Sequence, residues 1–479
     1  MNRKTSTAMV ILAFFMLLST SFLPAVSAQT VNSVKAKTSG ALKYKAQPIK
    51  SLKLADDDGG IPQGPNPWNI DAVNAETATN NGQGIYVAIL DTGLLSNYLD
   101  FFPEDRVDIC EEWGIGFTHD VFWTGPGGNF SDEFSYGPVR SDRGFITYDD
   151  GNFNDMGYGW GSGHGTHVTS IITGFHYVRV SSGVDNWIPG VAPKVTIIPV
   201  LVLDDWMVSY PNGTIVFYGG GTDEMVAAGI RYVGDLAESE GIKIVINMSL
   251  GGPVPTTIIE DAIDYAISKG VIIVASAGNE GTDGMGWPGA YPQVISVAAA
   301  GWTQEYGGGH YNYFWWWNDV PEKLNTMNMV YDPTTGSTYQ NMWQMYLTDF
   351  SSRPNPAIGQ SVNDLDVSAP GAAIRGPFKD YGPDQWGYYA VWGTSQAAPH
   401  VSGIAALVLQ SHPTLNQAGM ELILKNAATR NSMKGATMYV SNVFANYAVY
   451  PLRWGSHDAG NGFLTVDEAM KSASYYART

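Results

Sequence analysis

Gly393-Thr394-Ser395-Gln396-Ala397-Ala398-Pro399-His400 runs directly into the apolar residues 401–409. A glycine before the hydroxyl residue and small residues after it let the chain turn sharply and expose the Ser395 side chain. The helix that follows would aim its N-terminal dipole and free N–H groups at any anion forming there. Read alone, the stretch is equally a plain N-cap serine opening a helix. What stands at the other strand ends and helix starts has to decide between the two.

Three further motifs bear on that choice. Asp91-Thr92-Gly93 follows the apolar run 85–90. A carboxylate at the carboxyl end of a buried parallel strand lies where α/β sheets build their sites, although alone it reads as a turn residue. Gly163-His164-Gly165-Thr166-His167-Val168 places two histidines three apart at a helix start. Neither an H-E-x-x-H arrangement nor a third ligand accompanies them, so zinc is set aside. His164, preceded by glycine, suits a general base, and His167 reads as a structural residue packed one turn beneath. Ser276-Ala277-Gly278-Asn279-Glu280-Gly281 follows the apolar run 271–275. An Asn between glycines is a turn residue or a side-chain amide offered to an oxyanion.

In the order Asp, His, Asn, Ser, these motifs resemble the subtilisin family of serine proteases. The likeness extends to Gly190-Val191-Ala192-Pro193, Met248-Ser249-Leu250-Gly251-Gly252 and Trp287-Pro288-Gly289-Ala290-Tyr291-Pro292. It continues through Asp366-Val367-Ser368-Ala369-Pro370-Gly371 and Gly460-Asn461-Gly462-Phe463-Leu464-Thr465-Val466, covering residues 62–470 apart from two insertions. The resemblance implies an α/β fold, a three-layer sandwich with a central, mostly parallel sheet flanked by helices. It implies Ser395 as nucleophile, His164 as general base, Asp91 as the group orienting the imidazole, and Asn279 as oxyanion donor. It also implies that Ser249, Leu250 and Gly251 pair with an extended substrate. Gly278 and Glu280 would line the opposite wall of the main pocket, with Gly286 near its base and Gly219 and Gly220 on the facing edge. A glycine at 286 leaves depth for a large apolar side chain, and Glu280 at the rim offers a basic one a partner. No cofactor is implied for the chemistry. Structural calcium is, with Asp100 and Asp185 as the named ligands. A related branch of the fold replaces the His with Glu and the Asn with Asp; His164 and Asn279 disfavour it.

Composition sets the surroundings. The 479 residues, at about 150 per domain, allow about three domains, which the resemblance contracts to one enlarged domain. A hydrophobic content of 44% excludes a disordered or fibrous chain. The net charge of −19 argues against nucleic acid as a partner, and the single cysteine, Cys110, excludes an internal disulfide framework. The imbalance is local. Residues 1–54 hold eight basic and no acidic side chains, which leaves 18 basic against 45 acidic ones, a balance of −27, on residues 55–479.

Residues 1–28 read as a secretory signal: Arg3 and Lys4, an apolar stretch over 8–23, and Val26-Ser27-Ala28 as a small-residue cleavage site. Residues 29–60 are a short, basic pro-segment or linker, too few and too polar for a folded prodomain, and 61–479 form the peptidase domain. Short apolar runs at 85–90, 195–203, 243–247, 271–275 and 294–298 alternate with helical stretches at 165–173, 223–239, 257–269, 396–410 and 415–427. Residues 101–160 and 301–360, rich in Gly, Asn and aromatics, read as two long loop insertions; in the second, Trp302, Tyr306, Tyr311, Tyr313, Phe314, Trp315, Trp316, Trp317 and Trp343 read as the private core of a loop or as a platform for sugar or peptide stacking. The acidic loop at 149–155 reads as solvated surface or, from the spacing of its oxygen ligands, as a calcium loop. The sequons at Asn129 and Asn212 read as glycosylation sites in loops, whereas Asn247-Met248-Ser249 fits the pattern but lies on a strand expected to line the substrate. The expectation is a secreted, monomeric endopeptidase acting on protein or peptide substrates, with no nucleic acid and no membrane after signal cleavage. The alternatives are a dedicated maturation protease or ligase for one partner, and an inactive binding protein on a protease scaffold.

Overall fold

A computed structural model of the chain describes residues 45–46, 50–53 and 66–478, apart from 96, 124–129, 141–146, 149–162, 180–183, 210–214, 304, 306–319, 321–327, 333–334, 342–343, 380–385, 434 and 443–447. The signal stretch, the acidic loop at 149–155 and the sequon asparagines Asn129 and Asn212 lie outside the described residues.

Two short strands, β1 (Lys45–Ala46) and β2 (Lys50–Lys53), precede the main body. The core opens with β3 (Tyr86–Asp91), followed by β4 (Ile115–Trp123), β5 (Phe130–Arg140) and helix α1 (His164–Thr173). Next come β6 (Thr196–Leu201), β7 (Ile215–Gly220), α2 (Asp223–Glu240), β8 (Ile244–Met248), β9 (Leu250–Gly251), α3 (Thr257–Ser268) and β10 (Ile272–Ser276). Strands β11 (Ile295–Trp302), β12 (Met345–Leu347), β13 (Val367–Pro370), β14 (Ile374–Lys379) and β15 (Trp386–Trp392) lead to α4 (Thr394–Ser411) and α5 (Gln417–Ala428).

The central sheet runs β12-β11-β10-β8-β3-β6-β4-β5, with β13 also beside β11. From β11 to β4 every neighbouring pair is parallel; β12 and β5 add antiparallel edges. A parallel sheet is covered on both faces, so its strands are apolar along their whole length rather than alternately. Val245, Ile246, Ile272, Ile273 and Val274 accordingly have no exposed surface. Successive side chains of β3 still point to opposite layers. Leu90 faces α2, where Gly229 lets the helix settle on Val200 and Val202. Asp91 faces α1 instead. Helices α2 and α3 pack together on one face, while α1 and α4 pack together on the other. This is the expected three-layer α/β arrangement. Helix α2 is bounded by Thr222, whose Oγ1 accepts from the Met225 N–H at 3.1 Å, and by Gly241 in the left-handed region at φ 65°.

The two insertions carry more regular structure than loops. In the first, β4 and β5 pair over nine positions and carry the sheet outward past β6. In the second, Asn328–Asp332 pairs with Ser337–Asn341, and β12 joins the edge of β11. Their strands pair antiparallel at the margins, with only one face packed where Phe117 of β4 meets Tyr232 of α2, so glycine and polar residues are tolerated and the apolar signature is weak. Trp302 is buried, stacks on Trp68 with ring centroids 6.2 Å apart, and donates from Nε1 to Gln344 at 3.0 Å. Beside it, the Glu305 carboxyl is fully buried and accepts from the Trp302 N–H at 2.9 Å and the Tyr346 hydroxyl at 2.8 Å. Of the other aromatics named for this insertion, Tyr306, Tyr311, Tyr313, Phe314, Trp315, Trp316, Trp317 and Trp343 lie outside the described residues.

Burial raises the Glu305 carboxyl from its ordinary 4.5 to about 8, against the opposing pull of its two donors and of Arg375. The folded chain thus keeps a proton that the unfolded chain releases between pH 4.5 and 8, so stability falls as pH climbs through that window. Glu305→Gln is expected to flatten this decline, measured as Tm at pH 5, 6.5 and 8. A Cβ at Gly165 would lie 2.2 Å from the Gly93 carbonyl oxygen. Gly165→Ala is therefore expected to cost about 1–3 kcal/mol in urea unfolding, the range for forced overpacking.

Candidate functional site

The site is assembled where β3 ends and α1 begins. The carboxylate of Asp91, the last residue of β3, accepts from the Thr92 N–H at 2.7 Å. His164 is the first residue of α1, and its Nδ1 lies 2.8 and 3.0 Å from the two Asp91 oxygens. Both side chains are fully buried. A carboxylate only accepts, so Nδ1 carries the hydrogen and Nε2 is the basic nitrogen. The turn after β3 is fastened to the helix start at two further points. Thr92 Oγ1 accepts from the Gly165 N–H at 3.0 Å, and Thr166 Oγ1 accepts from the Leu95 N–H at 2.8 Å.

Ser395 is the second residue of α4, with Gly393 as N-cap and the first turn free of acidic side chains. Its hydroxyl donates to the Ser249 carbonyl at 3.0 Å, and the Ser249 hydroxyl donates back to the Ser395 carbonyl at 2.7 Å. Below them Asn247 Nδ2 donates to Ser249 Oγ at 3.0 Å, and Ser402 Oγ donates to Asn247 Oδ1 at 2.9 Å. Strand β8, its continuation toward β9 and helix α4 are thereby fixed in register around Ser395. Every member of this network is buried. A buried Asn247 fits the sequence reading that its Asn-x-Ser pattern is not a glycosylation site.

Asn279 is aimed by its neighbour's backbone. Its Oδ1 accepts from the Thr394 N–H at 2.9 Å, and Thr394 Oγ1 lies at the same distance. Thr394 Oγ1 also contacts the backbone N–H and carbonyl of Gly278, at 3.2 and 3.1 Å. Gly278 needs to be glycine, with φ at 104° and the Gly286 nitrogen 3.0 Å from where a Cβ would stand. The sequence points to no site role for Thr394, Asn247 or Ser402. Thr394 stands next to Ser395 in the motif, but its grip on Asn279 spans 115 residues, and no local pattern encodes that.

The segments named for the pocket are adjacent in the fold. Ser276 Oγ donates to the Leu250 carbonyl at 3.2 Å, Gly286 N–H donates to Ala277 at 2.9 Å, and Gly252 and Trp287 exchange backbone hydrogen bonds. Gly251 and Gly252 face Gly286, where a Cβ would make ordinary contact at 3.5 Å. Gly219 and Gly220 end β7, across β1 from β9. Glu280 is exposed, as a rim residue would be, but its Oε2 turns back to accept from the Asn279 N–H and Ser352 Oγ, at 2.6 and 3.0 Å. The two carboxylates expected to hold calcium are engaged elsewhere: Asp100 accepts from Asn97 Nδ2 at 3.2 Å, and Asp185 pairs with His176 at 2.6 Å. Among the described residues no three His, Cys, Asp or Glu side chains gather to hold a cation. Cys110 is partly buried, and burial raises its thiol.

His167 and His400 lie under the site. His167 Nε2 donates to the Ile374 carbonyl at 3.1 Å, and His400 Nδ1 donates to the Gln396 carbonyl at 2.8 Å. Burial lowers both rings to about 3, with His164 adding to the effect on His167, so both are neutral at physiological pH.

With this geometry in place, comparison with known proteins is informative. Subtilisin of Bacillus sp. (strain TA39) is 28% identical over 409 residues, covering 84% of this chain and 72% of that protein. Subtilisin E of Bacillus subtilis (strain 168) is 29% identical over 312 residues; the match covers 64% of this chain and 57% of the relative, little more than half its length. A psychrophilic protease of solved structure shares 27% identity and superposes with a TM-score of 0.50, over 85% of this chain and 100% of that one. Residues 82–444 match the subtilase family as a whole, and to that family of serine endopeptidases the chain belongs.

Proposed function

We propose that this chain is a secreted serine endopeptidase that cleaves protein or peptide substrates through an acyl-enzyme. The observation that carries the reading is the buried Asp91–His164 pair, set at the meeting of strand end and helix start in a chain of this family. Ser395 Oγ turns from the Ser249 carbonyl to His164 Nε2, which takes its proton as the oxygen attacks the substrate carbonyl carbon. Hydrogen bonds of this kind tighten when substrate arrives. Asp91 holds the imidazole in the tautomer with Nε2 basic and stabilises the imidazolium that forms. The oxyanion sits between Asn279 Nδ2 and the Ser395 N–H, with the α4 dipole behind it. His164 returns its proton to the leaving amine, then activates the water that releases the acyl group.

Peptide binding falls to the edge Ser249-Leu250-Gly251 and to Gly219-Gly220 facing it, with the side chain before the cleaved bond between Gly278 and Gly286. Export follows from residues 1–28, and the chain acts as a monomer outside the cell. Calcium takes six to eight oxygen ligands. Asp185 is paired with His176 and Asp100 is bonded to Asn97, so these two do not fit a shared calcium site, and no step of the reaction passes through the metal.

Casein cleavage and labelling by a serine-directed phosphonate test the assignment. Ser395→Ala is expected to abolish both, and intact casein with no labelling of the parent would overturn the reading. Loss of the oxyanion amide costs about 10²–10³ in kcat in a subtilisin, the measured case, and the same fall with little change in KM is expected for Asn279→Ala. Thr394→Val removes one neutral hydrogen bond that aims Asn279, worth about 1 kcal/mol, so kcat should drop about fivefold to tenfold at constant KM. Thr394→Ser should recover the parent value.

A further inference from the structure

The pocket wall that runs from Gly278 to Gly286 is poorly suited to hold a shape by itself. Four of its nine residues are glycine, and Gly278, Gly281 and Gly284 take φ values of 104°, 61° and 131°. Glycine loses more conformational freedom on ordering than any other residue. The wall is fastened from outside, at nearly every second residue, by residues 350–360. The Gly278 carbonyl accepts from the Ser352 N–H at 2.9 Å, and the Glu280 N–H donates to Ser352 Oγ at 3.0 Å. The Gly281 N–H donates to the Phe350 carbonyl at 2.8 Å, and the Gly281 carbonyl accepts from the Arg353 N–H at 2.9 Å. Asn355 Nδ2 donates to the Asp283 carbonyl at 3.0 Å.

Gln360 completes the fastening. Its side chain is buried and grips both backbone groups of Met285: Oε1 accepts from the N–H at 2.8 Å, and Nε2 donates to the carbonyl at 2.7 Å. Oε1 also accepts from the Asn355 N–H at 3.1 Å, and Asn355 Oδ1 accepts from the Ala357 N–H at 2.9 Å, so residues 355–360 brace one another. Such a grip needs a donor and an acceptor on one planar group, which an amide has; a carboxylate only accepts and a methionine has no donor. Because peptide units are planar, holding both groups of Met285 fixes the units that join it to Gly284 and to Gly286. At Gly284 the segment lies so close that a Cβ would stand 2.6 Å from Ile358 Cδ1 and 3.1 Å from Gln360 Oε1. Gly286 faces Gly251 and Gly252 on the opposite wall, so the placing of Met285 sets the distance between the walls at the base.

Resting on the serine-endopeptidase reading, we propose that Gln360 is a positioning residue for substrate selection. Acting through Met285, it holds the base of the pocket at a width that admits a large apolar side chain. Residues 352–360 together thus set which residue is favoured before the cleaved bond, although they stand behind the wall rather than in the pocket. A side chain as short as Ala ends before Gly286 and gains nothing from the grip, whereas Leu and Phe reach the base and depend on it. Discrimination by pocket depth is worth about 10–200-fold for a single methylene, so a small loosening of the base is enough to change it.

The test uses the full chain and three nitroanilide peptides that differ only in having Ala, Leu or Phe before the cleaved bond. Gln360→Met is similar in length but lacks the donor. It should lower the Phe-to-Ala and Leu-to-Ala ratios of kcat/KM about tenfold, chiefly through KM. A purely structural role would reduce the amount of active enzyme and lower all three values together, leaving both ratios where they were. Val362→Ala, an exposed position beyond the grip, is the control and should keep the parent ratios. Unchanged ratios in Gln360→Met would overturn the proposal and leave the protease reading standing, whereas absence of cleavage of every peptide and of casein by the parent would remove both. Should Gln360→Met fail to fold, Ile358→Ala decides, since that side chain is half exposed and its tip meets Gly284. A fall of about threefold in the Phe-to-Ala ratio is expected there, the worth of about one methylene contact, and an unchanged ratio would overturn the proposal.

Discussion

The contact on which the rest depends is between two backbones, at Gly93 and Gly165. The turn after β3 and the first turn of α1 approach so closely that neither a side chain nor a water layer fits between them. Thr92 and Thr166 each accept a backbone N–H from the opposite segment, so the two pieces are stitched from both directions. This places a carboxylate and an imidazole in contact with no exposure to solvent. Burying such a pair carries a desolvation cost, and it persists because its geometry is fixed from outside the pair. The same sheet that buries Asp91 toward α1 sends Leu90 toward α2, so one step of strand alternation separates chemistry from scaffold.

A second constraint concerns charge beneath the site. His167 is close enough to His164 to feel its charge, and burial keeps both His167 and His400 uncharged through the physiological range. The imidazolium expected at His164 during the reaction therefore forms beside neutral neighbours. The acidity of the chain is a property of its surface. Around Ser395 the buried polar groups are linked to one another, as in the chain from Ser402 through Asn247 to Ser249.

The core was legible because a parallel sheet writes itself in continuous apolar runs. Residues 85–90, 243–247 and 271–275 announced Tyr86–Asp91, Ile244–Met248 and Ile272–Ser276 within one residue. The site motifs were legible for the same reason, since each stands at the end of such a run or at a glycine-led helix start. The hairpins of the insertions were not, because antiparallel strands at a sheet margin need no covering layer. Nor was the aiming of Asn279 by Thr394, the turning-in of Glu280, or the pairing of Asp185 with His176. Those are decided by side chains meeting in space after the fold has formed. The basic segment 29–60 read as a tail because its pairing partners lie some 200 and 340 residues away, and it has too few apolar residues to signal them.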